Sequence, residues 1–364
     1  MELSARTGVK WASCEPDVIA AWLADMDFAA PAVVREALIR YVQDGDLGYP
    51  PWLLDDASPL RSAFAERMRV RHDWTVDESY VREFTDLIQG LQAVLQVGTS
   101  EGDAVAVLAP AYPPVLASVE DLRRRLVPLA DWESLAETVA RQRVRALVLV
   151  NPHNPSGRCM RVEELAAVAE VAETYDLLVI ADEIHADLTF PPARFVPFGS
   201  LAPDRTVTLT SATKAFNLAG LRCAVGHVGS ASVRAGLARL PPNLLGDVST
   251  PAVLATLAAW RSGDGWLSAV LEVLQRNRDF LVAELGSAGI DCSPPDAGYL
   301  AWLDCRALQL PSEPAQFFLE HARVRLSSGL GFGPSGRGFA RLNFGTSPDL
   351  VAEISSRLVR AVER

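Results

Sequence analysis

The chain has 364 residues, 49% of them apolar, enough for two domains with a large packed core. Its formal charge of −11 weighs against nucleic acid and anionic membranes as partners. The longest apolar runs are strand-sized, far short of the roughly 20 residues that cross a bilayer, and the opening MELSARTGVKW lacks the apolar stretch of a secretory leader, so a cytoplasmic protein is expected.

In chain order, buried strands are predicted at 104–108, 122–129, 146–150, 177–181, 206–209 and 223–228, with a helix at 162–175. Strands alternating with helices predict an α/β domain with a mainly parallel sheet flanked by helices, and ligands bind at the carboxyl ends of such strands. An amphipathic stretch at 267–285 is long enough to connect this domain to the next. Beyond it, strands are predicted at 299–304, 324–326 and 339–344, and helices at 314–321 and 348–363, which together read as a smaller α+β domain. The expected division is an N-terminal segment 1–42 joining the small domain, a large domain 43–285, and a small C-terminal domain 286–364.

The five cysteines, Cys14, Cys159, Cys223, Cys292 and Cys305, are widely spaced and include no CxxC pair. They fit neither a disulfide framework nor a zinc site, and no metal is expected. The 34 basic residues include only two lysines, Lys10 and Lys214. Arginine is never deprotonated in proteins and cannot form an imine, whereas lysine can. Lys10 is read as a chance survivor of the arginine bias. Lys214 stands in a context that argues for chemistry.

Three clusters carry that context. Ser211-Ala-Thr-Lys214 follows the strand at 206–209, and Arg222 comes soon after behind Ala219-Gly220. A hydroxyl at Ser211 and a guanidinium at Arg222 both suit a phosphate. Asp182 ends the strand at 177–181, where a carboxylate can pair with a protonated ring nitrogen. Glu183 follows, but successive side chains of an extended segment point apart, so the two are not a paired acid and base. Asn151-Pro-His-Asn-Pro-Ser-Gly157 forms a fixed loop after the strand at 146–150, and Asn154 offers an amide to a phenolate or carboxylate. His153 is read as structural.

The segments NPHNPSG, ADEIHADL and SATKAFNLAGLR, in this order, resemble those of fold type I pyridoxal 5′-phosphate (PLP) enzymes, the aspartate aminotransferase superfamily. The resemblance covers almost the whole chain. It implies that Lys214 carries the cofactor as a Schiff base and that Asp182 pairs with its pyridine nitrogen. Asn154 would contact its phenolic oxygen, Tyr112 would stack on the ring, and Ser211 and Arg222 would hold the phosphate. The phosphate-binding turn falls at Asp86-Leu87-Ile88-Gln89, before a helix whose first amides suit an anion. Leu87 stands where a small residue is usual, and Leu87 and Ile88 are assigned to the cofactor site.

The N-terminal AWLADMDF, Gly48-Tyr49, Asp182-Glu-Ile-His185, and the C-terminal WLDCR and RLNF are similar to the cystathionine β-lyase-like (MalY/PatB-type) C–S lyases. That resemblance adds His185 to the cofactor site and implies that Arg341 clamps the substrate α-carboxylate, with Asn154 and Asp25 beside the substrate. It also implies a homodimer in which Tyr49 reaches the phosphate of the neighbouring subunit. Arg222, where this branch often has glutamine, and Pro50-Pro51-Trp52 are departures that point to a specialised cysteine S-conjugate of secondary metabolism. The expected reaction is β-elimination from an S-substituted cysteine to thiol, pyruvate and ammonia. The alternatives are transamination, decarboxylation or oxidative deamination of such a conjugate, and a regulatory protein that binds PLP.

Overall fold

The computed structural model describes residues 3, 6–54, 58–241 and 243–363. Among the described residues twelve strands appear in chain order: β1 Ile19–Ala20, β2 Val81–Phe84, β3 Ala104–Leu108, β4 Arg125–Leu129, β5 Val144–Val150, β6 Leu178–Asp182, β7 Thr206–Thr210, β8 Ala224–Val228, β9 Leu300–Asp304, β10 Val324–Arg325, β11 Ser327–Ser328 and β12 Phe339–Asn343. Seven form one sheet in the order β2-β8-β7-β6-β5-β3-β4. The pairs from β7 through β6, β5 and β3 to β4 are parallel, while β8 runs antiparallel to both β7 and β2.

The inner strands are near-continuous apolar runs because both faces are covered. Val105, Val107, Val148 and Ile180 pack on one face with helix Leu87–Gly98, through Leu91 and Val94. Their neighbours Ala104, Ala106, Leu147, Leu149, Val179 and Ala181 pack on the other with helix Val162–Thr174, through Leu165 and Val168. This alternation follows from the period of two in an extended chain.

A third core joins the two ends of the chain. The 24-residue helix Asp264–Ser287 lies against Pro348–Val362, and an antiparallel sheet β11-β12-β9 packs beneath them. β1 pairs in parallel with β10, so the N-terminal segment is tied to the C-terminal part before it crosses to the large sheet.

The expected strand at 122–129 begins only at Arg125: Leu122 closes helix Pro113–Asp121, and Arg123 turns the chain in the left-handed region at φ 58°. Lys10 is not a chance survivor. It is 4% exposed, and its Nζ donates to the Asp25 carbonyl at 2.9 Å and pairs with Asp27 Oδ2 at 3.0 Å. No helix among the described residues is long and apolar enough to cross a membrane.

Candidate active site

The carboxyl ends of β5, β6 and β7 open into one cavity of about 700 Å³, mouth included. Asp86, Leu87, Ile88, Tyr112, Asn154, Asp182, His185, Thr213, Lys214 and Arg222 all line it, so residues far apart in sequence share one chamber.

Lys214 sits in the short helix Ala212–Ala215 directly after β7, where Ser211 caps the turn. Its Nζ donates to the Ala24 carbonyl at 2.8 Å. Burial pulls its pKa down to about 8, against the opposing field of Asp25. A lysine so placed has a substantial neutral fraction near physiological pH and can act as a nucleophile or base. Asp182 ends β6, and one carboxylate oxygen accepts from the Ile184 amide at 3.2 Å. Burial raises it to about 6. Glu183 points away from the cavity, where it accepts from the Phe198 amide at 2.8 Å. Burial pushes it up to about 8.

Asn154 lies in the loop after β5. That loop needs glycine at 157, which has φ +70° and sits so close to its neighbours that a Cβ would fall 2.3 Å from Pro295 Cβ. His153 is buried with Nδ1 2.8 Å from Ser156 Oγ, a local structural contact. Arg341, on β12, is 4% exposed. One terminal nitrogen donates to Asn154 Oδ1 at 3.0 Å, and the other donates to the Trp22 carbonyl and the Ser327 hydroxyl. Among the described residues its buried Nε has no partner, and neither has Nδ1 of the buried His185. Burial, with the positive charges of Lys214 and Arg341, holds the His185 imidazole down at about 3, so it is neutral. Two buried donor-capable groups left over beside an acid, a lysine and an arginine fit a polar ring and a carboxylate. The residues present therefore suit the cofactor expected from the sequence.

Four expected residues do not line the cavity: Arg341 stands behind Asn154, to which it is bonded, and Ser211, Asp25 and Tyr49 lie elsewhere. Ser211 does not line the cavity: its hydroxyl donates to the Cys223 carbonyl and accepts from the Thr213 amide, while Thr213 faces inward. The Asp25 side chain is not part of the lining either, and the strap meets Lys214 through the Ala24 carbonyl instead. Tyr49 is 96% exposed and lies outside the chamber.

The sequence reading missed what holds the strap 22–28 over Lys214. Asn343 donates to the Leu23 and Asp25 carbonyls. Asn217 donates to Met26 and Phe28 and accepts from the Met26 amide at 3.0 Å. The Tyr299 hydroxyl donates to Ala24 at 3.1 Å. Asn217 and Asn343 stand inside the quoted segments SATKAFNLAGLR and RLNF, but their partners are some 190 to 320 residues away, and no local pattern pointed to them.

Comparison with known proteins agrees with this geometry. Cystathionine beta-lyase PatB of Bacillus subtilis is 34% identical over 91% of this chain and 89% of its own length. A cystathionine beta-lyase of Corynebacterium glutamicum is 31% identical over 97% of this chain and 96% of its own. The PLP-bound C–S lyase of Staphylococcus hominis superposes with a TM-score of 0.92 over 100% of this chain and 97% of its own, at 25% identity. The aminotransferase class I and II family matches residues 23–358, and with its lysine, aspartate, asparagine and arginine gathered in one chamber the chain belongs to that family.

Proposed function

We propose that this chain is a PLP-dependent carbon–sulfur β-lyase that cleaves an S-substituted cysteine to a thiol, pyruvate and ammonia. The observation that carries the reading is that Lys214 and Arg341 both donate to carbonyls of one strap, Ala24 and Trp22, whose sequence resembles that of the lyase branch.

PLP, when bound, supplies an electron sink for the α-carbon of an amino acid. Lys214 would hold its aldehyde, Asp182 its pyridine nitrogen, Asn154 its phenolic oxygen, Tyr112 its ring face, and Arg222 with the first amides of helix Leu87–Gly98 its phosphate. Arg341 binds the substrate carboxylate: its free Nε and a terminal nitrogen can fork onto two oxygens. Held there, the substrate presents its Cα–H bond to Lys214. The Lys214 amine, neutral in part because burial lowers its pKa to about 8, takes the α-proton. The electron pair left on Cα forms the Cα–Cβ double bond as the Cβ–S bond breaks, and the sulfur departs as thiolate. Water converts the three-carbon remainder to pyruvate and ammonia. The strap 22–28 covers Lys214 from one side, and its Ala24 carbonyl, also bound by Tyr299, holds the amine in place.

The same reading makes the working form a cytoplasmic homodimer in which the exposed Tyr49 reaches the neighbour's phosphate site. It divides the chain at 42/43 and 285/286 and takes a specialised cysteine S-conjugate as substrate.

Product analysis tests it. With cystathionine and a panel of S-alkyl cysteines, equal amounts of thiol, pyruvate and ammonia are expected, and Lys214→Ala should abolish both turnover and the borohydride-reducible cofactor linkage. Amino transfer to a keto acid without thiol release would refute the elimination, and released carbon dioxide would replace it with a decarboxylation.

A further inference from the structure

Asp86 puts a carboxylate where the reading above places the cofactor's phosphate. It caps helix Leu87–Gly98, with Oδ1 accepting from the Gln89 amide at 2.9 Å. The cap is braced, because Gln89 Oε1 accepts from the Thr85 amide at 2.8 Å and Gln89 Nε2 donates to the Leu245 carbonyl at 2.6 Å. The other carboxylate oxygen, Oδ2, pairs with the Arg222 guanidinium. Arg222 itself is set in the left-handed region at φ 58°, and both residues line the Lys214 cavity.

An anion entering this corner meets three fixed charges. Arg222 contributes one positive charge, the helix N-terminus contributes about half of one, and Asp86 cancels most of their sum. The Ser211 hydroxyl is committed to the Cys223 carbonyl and adds no neutral donor. The corner thus offers a phosphate of nearly two negative charges only about half a positive charge. A neutral cap in place of Asp86 would leave about one and a half.

We infer that Asp86 is a built-in counter-anion that competes with the cofactor phosphate for Arg222. The chain accordingly holds PLP less tightly than the same corner would with a neutral cap. Asp86 is a positioning residue: it acts through Arg222 and sets cofactor occupancy, not bond cleavage. The inference rests on the assignment of PLP to Lys214.

Asp86→Asn separates charge from structure, because asparagine caps a helix about as well as aspartate. The holoenzyme is dialysed against graded concentrations of PLP in phosphate-free buffer, and occupancy is read from the visible absorbance of the Lys214 linkage. A parallel series uses pyridoxal, which has the same aldehyde and no phosphate. D86N is expected to bind PLP about two- to fivefold more tightly than the parent, the range of a partly exposed charge pair, with pyridoxal unchanged. Unchanged or weaker PLP binding overturns the inference, and so does an equal gain with pyridoxal. Asp86→Ser, also a capping residue, provides the same comparison where D86N does not fold. If neither aldehyde forms the linkage in the parent, the Lys214 assignment itself falls. No substrate enters the measurement, so a chain that transfers amino groups instead of eliminating thiol would still give the expected shift.

Discussion

Lys10→Met asks whether the strap over Lys214 is held from behind. The Lys10 and Asp27 side chains are 5% and 3% exposed, with Nζ 3.0 Å from Oδ2 and a second bond to the Asp25 carbonyl. Methionine keeps the unbranched apolar stem and removes the charge. Asp27 then retains the Trp11 Nε1 donor at 2.7 Å, while Arg6 stands at 3.9 Å and is partly exposed. Removing one partner of a buried ion pair costs about 3–5 kcal/mol, and those remaining contacts favour the lower end. The bonds from Asn217, Asn343 and Tyr299 persist, so the cost falls on local opening of the strap instead of global unfolding. About 3 kcal/mol corresponds to roughly a hundredfold change in an opening equilibrium. Hydrogen exchange measures it at the Met26 and Asp27 amides, which donate to Asn217 Oδ1 at 3.0 Å and to the Gly345 carbonyl at 2.7 Å. Both should exchange about a hundredfold faster in K10M, with the amides of β5 unchanged. Exchange within threefold of the parent would refute the reasoning.

Arg341→Lys keeps the charge and loses the planar fork, so kcat/KM for a cysteine conjugate is expected to fall by about two to three orders of magnitude while the visible cofactor absorbance stays; an unchanged kcat/KM would remove Arg341 from substrate binding. The pKa of about 8 for Lys214 gives a pH dependence with a definite sign. Only the neutral amine attacks an aldehyde, and its share rises from roughly a tenth at pH 7 to half at pH 8. The rate at which PLP reconstitutes the cofactor-free protein should therefore climb about fivefold between those two values and level off above pH 9; a rate that keeps rising to pH 10.5 would mean that burial does not lower this lysine.

The parts of the molecule legible in sequence are those built from local runs. β3 is found over the residues expected, because an uninterrupted apolar stretch between turns has few other uses in a sheet covered on both faces. β2 escaped because Val81–Phe84 is a four-residue edge strand with two charged residues at its centre, and its place depends on antiparallel pairing with β8, over a hundred residues away. The site divides the same way. Lys214, Asp182 and Asn154 each follow a recognisable strand, so chain position alone brought them to one sheet edge. The strap's fastenings run from Asn217, Tyr299 and Asn343 across separations of about 190 to 320 residues, and nothing local marks an asparagine as the donor to a distant carbonyl. Ser211 shows the reverse error. Its hydroxyl suited a phosphate, but a hydroxyl at a helix cap is claimed first by nearby backbone groups.

The two lysines of an arginine-rich chain turn out to share a target. Lys214 donates to the Ala24 carbonyl and Lys10 to the next one along, that of Asp25. The reasons for lysine differ. At 214 the chemistry excludes arginine, which can neither lose its proton nor form an imine. At 10 the argument is one of donors: a compact ammonium is served by a carbonyl and one carboxylate oxygen in a site that is 4% exposed, whereas a guanidinium brings five donors to be satisfied there. The division of labour has a mechanistic consequence. On the proposed function, Lys214 must leave the strap to hold an aldehyde, and later to take a proton, so it cannot also be what keeps the strap in place. With Lys10, Asn217, Asn343 and Tyr299 carrying that load, Lys214 is free to move without opening the chamber it works in.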